Sequence, residues 1–313
     1  MSEILVETKN LSKSYGKLKA LNNMSMTLYK GDIYGFIGPN GAGKSTTFKI
    51  LSTILIPDTG TATINGISIT RGSEVRGLIG YMPDSFGVYD DMTVYQYLDF
   101  FAAAYFIPSK KRKSLIHDIL ELTDLTFKRD AMVQSLSRGM QQRLGLSRVL
   151  IHDPKLLILD EPASGLDPRA RIEFRELLKE LVKMGKTILI SSHILSELSE
   201  ICTRVGIVEQ GKLIYEGSRS EIEEKLLGYG RIIVELKDAE AAVHCQAVLK
   251  KAPFKIEMVI YDYKLNISIS KDGTDLDDII RYLFEHDIKI KAFYKSKLSL
   301  EDAFMNITEG KLA

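Results

Sequence analysis

The chain has 313 residues, enough for two domains of ordinary size, and it is 45% hydrophobic and 27% charged, a balance typical of globular proteins. Its formal net charge of +1 lacks the basic excess that nucleic-acid binding normally requires, so we expect no nucleic-acid partner. The N-terminal residues lack the basic and apolar regions of a signal peptide. The longest stretch without a charged residue, 59–70, is shorter than the ~20 apolar residues of a membrane-spanning helix, so no membrane span is expected.

The first predicted elements are strands, and the third strand leads into a glycine-rich loop. Residues 4–28 indicate two strands with a turn at Tyr15-Gly16, and Ile33–Ile37 is an apolar run typical of a buried strand. The next residues fit the phosphate-binding pattern G-x-x-x-x-G-K-[ST] and open a helical pattern: Gly38, Pro39, Asn40, Gly41, Ala42, Gly43, Lys44, Ser45 and Thr46. This order of strand, loop and helix predicts a nucleotide site.

The residue types of this loop suit the phosphates of ATP or GTP. Glycines allow backbone N–H groups to turn toward phosphate oxygens, and the N-terminus of the following helix adds the positive end of its dipole. Lys44 is expected to contact the β- and γ-phosphates, and the hydroxyl of Ser45 is expected to ligate Mg²⁺.

The middle of the chain combines a hairpin, a helical region and two further buried strands. Thr61–Ile69 predicts a β-hairpin, and residues 93–142 have helical spacing. Leu156–Leu159 and Thr187–Ser191 are short apolar runs that suit central parallel strands. A helix is predicted between them, with Pro168 at its first position.

Both of these strands end in residues suited to ATP hydrolysis. Asp160 and Glu161 follow the first strand, and successive strand residues point to opposite sides, so the two carboxylates can take different roles. Asp160 is expected to hold Mg²⁺ or its water, and Glu161 to polarise the water that attacks the γ-phosphate. His193 follows the second strand, where ligands of parallel sheets bind, and is expected to contact the γ-phosphate.

A second domain is predicted to begin near Gly217. Residues 218–230 indicate a linker helix that ends in a glycine-rich turn, and residues 231–313 show strands and helices in the order βαββαβ, with a final helix. This order is that of a small α+β ferredoxin-like fold, whose last strand is predicted at Ile288–Phe293. The domain has neither a glycine loop nor an acid–base cluster, so we expect a binding or dimerisation module.

Several motifs in this order resemble those of ATP-binding-cassette (ABC) ATPases. They lie between Ile4 and about Gly217 and are Tyr15, the glycine loop, Leu136–Gln141, Leu156–Pro162, Ser164–Asp167 and His193. The resemblance implies an α/β fold, a P-loop NTPase core with antiparallel β and helical subdomains. It further implies that residues 1–217 form the nucleotide-binding domain and that residues 86–150, approximately, form the helical subdomain.

The resemblance also implies site residues outside the glycine loop. Tyr15 and Gln141 are expected to contact ATP. Ser137 and Gly139 are expected to bind the γ-phosphate of an ATP held by a second cassette, so that two cassettes enclose two ATP molecules head to tail, as a homodimer or a heterodimer. Asp167 follows Gly165 in the loop that connects the two sites across this interface.

The chain departs from the family pattern at three positions. Asp84 stands where a glutamine usually binds Mg²⁺ and the attacking water, and an aspartate can still ligate Mg²⁺ although it adds negative charge beside the phosphates. Arg138 and Met140 replace a glycine and a glutamine of the commonest signature. Glu161 and His193 match the family, so hydrolysis of ATP is expected.

The resemblance implies a subunit that binds and hydrolyses ATP to power a membrane transporter, an exporter rather than an importer. Its partner is then a separately encoded integral membrane permease, and its place is cytoplasmic, peripheral on the inner face of the cell membrane. Residues 86–106 contain eight Tyr and Phe residues, most of which are expected to pack inside the helical subdomain, and Phe86, Tyr89 and their neighbours are the expected surface for this permease. The basic run Lys110–Lys113 indicates a solvated helix start, or else a contact with anionic lipid or RNA.

Two alternative functions stay open at this point. One is a soluble ABC ATPase that acts on ribosomes or DNA, against which the single cassette and the near-neutral charge argue. The other is a regulatory nucleotide-binding module with little hydrolysis, which the departures Asp84 and Arg138 would suit.

Overall fold

The computed structural model describes residues 3–85, 87, 91–192, 198, 200–218, 221, 229–254, 256–270 and 276–296. These residues form two compact units, with the division after Ser218. In these ranges, no helix combines the length and the apolar character that a bilayer crossing requires.

The first unit combines strands and helices throughout its length. Its elements are, in chain order, β1 (Ile4–Tyr15), β2 (Leu18–Tyr29), β3 (Ile33–Ile37), α1 (Lys44–Leu51), β4 (Thr59–Ile64), β5 (Ile67–Ser68), α2 (Gly72–Arg76), β6 (Ile79–Met82), α3 (Val94–Ala104), α4 (Ser109–Leu122), α5 (Arg138–Leu150), β7 (Leu156–Leu159), α6 (Pro168–Lys183), β8 (Thr187–Ser192), β9 (Arg204–Glu209) and β10 (Lys212–Ser218). Two 3₁₀ turns, Thr126–Lys128 and Val133–Ser135, lie between α4 and α5.

An antiparallel sheet with the strand order β2-β1-β4-β5 covers one side of the main hydrophobic core. Met24, Met26 and Leu28 alternate inward along β2, as the two-residue period of a strand dictates. They belong to the same buried cluster as Phe48 of α1 and Ile158 of β7. The helix that follows the glycine loop is therefore anchored by packing against residues of both sheets.

A six-stranded mixed sheet forms the centre of this unit, in the order β10-β9-β3-β8-β7-β6. All neighbouring pairs are parallel except β10 with β9. Every residue of β3, β7 and β8 is buried, which agrees with a parallel sheet covered on both faces. Because β3, β8, β7 and β6 run in one direction, their carboxyl ends lie along one edge of the sheet.

The helices α3, α4 and α5 form a separate hydrophobic cluster that includes the fully buried residues Tyr97, Leu120 and Leu144. Thr93 caps α3: its hydroxyl accepts from the backbone N–H of Gln96, and the Gln96 side chain accepts from the backbone N–H of Thr93. This helical part holds the start of α5 at a fixed place relative to α6, which follows β7.

The second unit is a four-stranded antiparallel sheet with two helices. Its elements are β11 (Tyr229–Glu235), α7 (Ala239–Leu249), β12 (Ile256–Tyr261), β13 (Lys264–Ser270), α8 (Leu276–Glu285) and β14 (Ala292–Ser296). The element order is βαββαβ, and the strand order in the sheet is β12-β13-β11-β14. Cys245 and Leu249 of α7 and Leu283 of α8 are buried in one cluster with the inner residues of the sheet.

Two boundaries of this unit differ from the sequence prediction. β11 already begins at Tyr229, inside the predicted linker helix, whose remaining residues lie outside the described ranges apart from Ser218 and Glu221. The predicted strand Ile288–Phe293 is wrong in its position, because β14 begins at Ala292, opposite Glu235 at the end of β11. Residues before Ala292 extend beyond the partner strand, so Ile288 contributes its side chain to the core without pairing in the sheet.

The N-cap of α7 gives a test of the second unit. The carboxylate of Asp238 accepts a hydrogen bond from the backbone N–H of Ala241 at 2.9 Å, so Asp238→Ala leaves that donor without its cap. We expect a loss of about 1 kcal/mol in the unfolding free energy of this unit, and almost none for Asp238→Asn, because asparagine caps as well as aspartate.

Hydrogen exchange of the α7 amides measures this difference without requiring the two units to unfold together. The control is His244→Ala, an exposed position of the same helix, which should change the free energy by less than about 0.5 kcal/mol. A loss in Asp238→Asn equal to that in Asp238→Ala would contradict the role of the cap.

Candidate functional site

Four neighbouring strands of the mixed sheet bring the predicted phosphate-binding and acidic residues to one edge. The glycine loop follows β3, Asp84 follows β6 after one intervening residue, and Asp160 and Glu161 follow β7 directly. Ser191 and Ser192 are the last residues of β8, which lies between β3 and β7. The parallel pairing thus assembles residues that are more than 100 positions apart in the sequence.

The glycine loop ends in a conformation that requires glycine. Gly43 caps α1 with φ of +106°, a left-handed value, and a Cβ added there would lie 2.6 Å from the carbonyl oxygen of Ala20. The loop therefore passes directly against the start of β2. This contact fixes the N-terminus of α1, whose first backbone N–H groups have no partner within the helix and are available to an anion.

A cleft of about 330 Å³ lies in front of this loop and brings most of the predicted residues together. It is lined by Tyr15, Leu18, Ala20, Asn40, Gly41, Gly43, Lys44, Ser45, Thr46, Asp84, Asp160 and Glu161. Tyr15 is 48% exposed, with Leu18 and Ala20 nearby on the cleft wall. The cleft thus combines a flat aromatic surface with a phosphate-binding loop and three carboxylates.

The remaining residues of the loop contribute through the backbone or through packing. The carbonyl oxygens of Gly38 and Pro39 accept from the Lys44 ammonium at 2.7 Å and 3.2 Å, and Ala42 is buried in the core. Lys44 itself is buried, and this burial lowers the pKa of its ammonium, against the opposing effects of Glu161 and then Asp160. A phosphate that replaces the two carbonyls would give this desolvated cation a charged partner.

Ser191 forms hydrogen bonds with both acidic residues that follow β7. Its hydroxyl donates to the carboxylate of Asp160 at 2.7 Å and accepts from the backbone N–H of Glu161 at 2.9 Å. Asp160 is only 3% exposed, so this hydrogen bond satisfies one of its buried oxygens. The sequence prediction missed Ser191; its signal is a hydroxyl at the carboxyl end of an otherwise apolar strand.

Glu161 has a backbone conformation that is rare for a residue with a side chain. Its φ is +50°, in the left-handed region, which costs about 1–2 kcal/mol for a non-glycine residue. The hydrogen bond from its N–H to Ser191 helps to maintain this conformation. Such local strain clusters at functional sites, because the surrounding structure must hold the side chain in one orientation.

The oxygen donors of the cleft fit Mg²⁺ that arrives together with ATP. Ser45, Asp84 and Asp160 line the same cleft, and Mg²⁺ is usually held by one or two carboxylates together with substrate phosphates and waters. The described residues contain no group of three or more His, Cys, Asp or Glu that would hold a metal alone. The donor set is therefore sufficient only with the oxygens of the nucleotide.

Tyr81 is a further polar group near this donor set that the sequence prediction missed. Burial raises the pKa of its phenol to about 12, with smaller contributions from the charges of Asp160 and Asp84. Within the described part of the chain, its buried hydroxyl has no hydrogen-bond partner. Tyr81 therefore stays protonated over the physiological range, and among the described residues its O–H remains an unpaired donor.

A second cleft of about 260 Å³ contains the signature residues instead. It is lined by Asp124, Phe127, Ser137, Arg138, Gly139, Met140, Arg143, Gly165, Leu166, Asp167, Ala170 and Glu173, none of which lines the first cleft. Ser137 caps α5 and Asp167 caps α6, so two helix N-termini open toward this region. Predicted residues of one nucleotide site thus lie in two separate clefts of the same chain.

Among the described residues, the predicted residues Gly38, Pro39, Ala42 and Gln141 are absent from both linings. Gln141 lies in the first turn of α5, where its backbone N–H donates to the carbonyl of Ser137, but it does not line the second cleft. The structure therefore gives no support to a contact of Gln141 with nucleotide. His193 lies outside the described residues, and its contact with the γ-phosphate stays a prediction.

Comparison with known proteins identifies the family. The family model described as "ABC transporter" matches residues 21–164. A Bacillus subtilis (strain 168) protein named "Uncharacterized ABC transporter ATP-binding protein YcbN" is 34% identical over 310 residues, which cover 98% of this chain and 97% of the relative. "Nod factor export ATP-binding protein I" of Burkholderia orbicola (strain AU 1054) is 38% identical over 229 residues, which cover 73% of this chain and 75% of the relative.

A solved structure extends this likeness to three dimensions. It is cbiO1 from Clostridium perfringens, described as part of the ABC transporter complex cbiONQ, with 29% sequence identity and a TM-score of 0.65 over 71% of this chain and 92% of that chain. The predicted α/β fold with a P-loop core is thereby confirmed. The chain belongs to the family of ABC transporter ATP-binding proteins, and it is an ATP-binding P-loop ATPase.

Proposed function

We propose that this chain powers an exporter by ATP-driven pairing of two cassettes, and that it acts on a separately encoded integral membrane permease. In this proposal the protein is cytoplasmic and peripheral on the inner face of the cell membrane. Export is favoured because the relative from Burkholderia orbicola is named for it. The pairing of two cassettes is supported by the structure of this chain itself.

The observation that carries the proposal is the separation of the two clefts. Lys44, Asp160 and Glu161 line the first cleft, whereas Ser137 and Gly139 line the second. If both sets act on one ATP, they must come from two copies of a cassette, either of this chain or of a related one. A head-to-tail pair then contains two equivalent sites, each formed from the first cleft of one copy and the second cleft of the other.

Most residues of the first cleft have a proposed role in binding ATP or Mg²⁺. The aromatic ring of Tyr15 offers a surface for the adenine base, and the loop from Gly38 to Thr46 surrounds the phosphates. Lys44 neutralises charge on the β- and γ-phosphates. Ser45, Asp160 and Asp84 would hold Mg²⁺, which when bound supplies charge neutralisation at the phosphate oxygens.

Hydrolysis is proposed to depend on Glu161. Its position directly after β7 and the hydrogen bond from its backbone N–H to Ser191 hold its backbone at the cleft, which supports a role for its carboxylate in accepting a proton from the attacking water. Ser191 also holds Asp160, so the two carboxylates keep separate roles. His193 is proposed as the further residue at the γ-phosphate.

Exposed aromatic residues of the helical part support a permease-binding surface. Phe106 is 92% exposed, Phe100 45% and Tyr105 42%, whereas Tyr97 is fully buried. Exposed aromatic side chains of this kind are enriched at protein interfaces. Of the same predicted surface, Phe86 and Tyr89 lie outside the described residues.

Replacing the proposed base tests the hydrolysis step. Glu161→Gln keeps the size of the side chain but cannot accept the proton. We therefore expect turnover to fall ~10²–10⁴-fold and an ATP-bound dimer of the chain to accumulate. Steady-state ATPase assays and light scattering in the presence of ATP and Mg²⁺ measure both effects. Glu180→Gln, an exposed carboxylate on α6, is the control and should behave as the wild type. Wild-type turnover by Glu161→Gln would refute the assignment.

Mixing two inactive variants tests the shared site. Lys44→Ala changes the first cleft and Ser137→Ala the second, so a mixed pair keeps one intact site, and an equal mixture should recover about a quarter of the wild-type rate. The control mixture of Lys44→Ala with Glu161→Gln changes the same cleft in both copies and should recover nothing. Equal rates in the two mixtures would contradict a site built from two chains.

Removing the exposed aromatic rings tests the permease surface. Phe100→Ala together with Phe106→Ala should reduce co-purification of an integral membrane protein from detergent extracts, while the ATPase rate of the isolated chain stays within about twofold of wild type. Phe284→Ala is the aromatic control, because Phe284 of α8 is 63% exposed and lines neither cleft. Recovery with ribosomes or DNA in place of a membrane protein would overturn the transporter proposal.

A further inference from the structure

Arg138 connects the start of α5 to the loop that follows Glu161. It is the first residue of α5, and its Nε donates a hydrogen bond to the backbone carbonyl of Ser164 at 3.1 Å. Its guanidinium also lies directly on Gly165, where an added Cβ would be 2.4 Å from Cζ and 2.5 Å from Nε. The position of Arg138 is therefore possible only because residue 165 has no side chain.

Neither the helix nor an ion pair accounts for an arginine at this place. A cation in the first turn of a helix is opposed by the positive end of the helix dipole. In the described part of the chain, Arg138 forms no ion pair, whereas Arg143 of the same cleft pairs with Asp124 and Glu173. The interaction that stabilises the Arg138 side chain at this position is therefore its contact with Ser164 and Gly165.

A continuous series of hydrogen bonds leads from Arg138 to the candidate catalytic residues. The N–H of Ser164 donates to the carbonyl of Glu161 at 3.0 Å, and the N–H of Glu161 donates to Ser191 at 2.9 Å. The hydroxyl of Ser191 donates in turn to Asp160 at 2.7 Å. The second cleft, which Arg138 lines, is thus joined to the first cleft, which Asp160 and Glu161 line.

We propose that Arg138 is a positioning residue for Glu161: its Nε fastens the loop Ser164–Asp167 to α5 and so holds the strained backbone of Glu161 in its working orientation. A nucleotide phosphate that enters the second cleft would compete with Ser164 for the guanidinium, and the state of one cleft would then alter the catalytic carboxylate of the other. This inference rests on the proposed role of Glu161 in hydrolysis.

Two substitutions separate the hydrogen bond from the charge. In Arg138→Gln, the side-chain nitrogen stands as many bonds from Cα as Nε of arginine, so the donor is kept and the charge is lost. Arg138→Met has a similar length and no donor. Arg169→Met is the control, because Arg169 lies in the first turn of α6, which follows the same loop, and its side chain bonds to Glu173 alone among the described residues.

The experiment uses the purified full chain and two readouts. In Arg138→Met, kcat for ATP hydrolysis should fall at least ~5-fold while the KM for ATP changes by less than ~2-fold, because the first cleft still binds nucleotide. Hydrogen exchange of the amides of residues 161–166 without nucleotide should rise ~5-fold, the effect of losing one hydrogen bond. Arg169→Met should stay within about twofold of wild type in both readouts, and Arg138→Gln should do so in the exchange readout, which is made without nucleotide.

Gly165→Ala removes the same contact from the other side. Its Cβ occupies the position of the guanidinium, so exchange in the loop should rise in the wild-type background and rise much less when Arg138→Met is already present, since the contact is then absent. The backbone strain at Gly165 is common to both backgrounds and cancels in this comparison.

Three results would overturn the proposal: wild-type exchange in Arg138→Met, raised exchange with unchanged kcat in Arg138→Met, or equal rises in exchange in Arg138→Gln and Arg138→Met. Failure of the proposed role of Glu161 is distinguished from these, because it appears as wild-type hydrolysis by Glu161→Gln. The exchange measurement does not depend on hydrolysis, so it tests whether Arg138 stabilises the loop Ser164–Asp167 in either case.

Discussion

The parallel pairing of β3, β8, β7 and β6 is the constraint on which the rest of the site depends. It directs four strand ends to one edge and so brings together a phosphate-binding loop, a serine and three carboxylates. A slip of one residue between β7 and β8 would turn Ser191 away from Asp160, because successive strand residues face opposite sides. The register of these buried strands therefore also determines which polar side chains meet at the site.

The electrostatics of the first cleft follow from this assembly. Lys44, Asp160 and Glu161 line one cleft, and burial disfavours the charged form of Lys44 while the two carboxylates favour it. The carbonyls of Gly38 and Pro39 accept hydrogen bonds from the ammonium. Such a cation can turn to a phosphate without the cost of being removed from water at that moment, since it is already desolvated.

The parts of the site that are contiguous in sequence could be predicted, and the parts joined only by folding could not. The glycine loop and Asp160-Glu161 have signatures within a few residues, and both lie in the first cleft as expected. Ser191 is 31 positions from Asp160, and a serine at a strand end gives no local signal of its partner. The position of β14 was missed because apolar alternation predicts which residues face the core, but pairing ends where β11 ends.

The separation of the two clefts also explains why Arg138 is compatible with hydrolysis, although it departs from the commonest signature. Were both clefts part of one site in one chain, an arginine at the start of α5 would compete with Lys44 for the same phosphate. In this structure it lies on Gly165 and bonds to Ser164, in the second cleft. In the proposed pair of cassettes, its charge would therefore act on a different nucleotide from the one beside Lys44. The loop Ser164–Asp167 then links two events, the arrival of a phosphate at α5 and the orientation of Glu161, which a glycine at position 138 would leave unconnected.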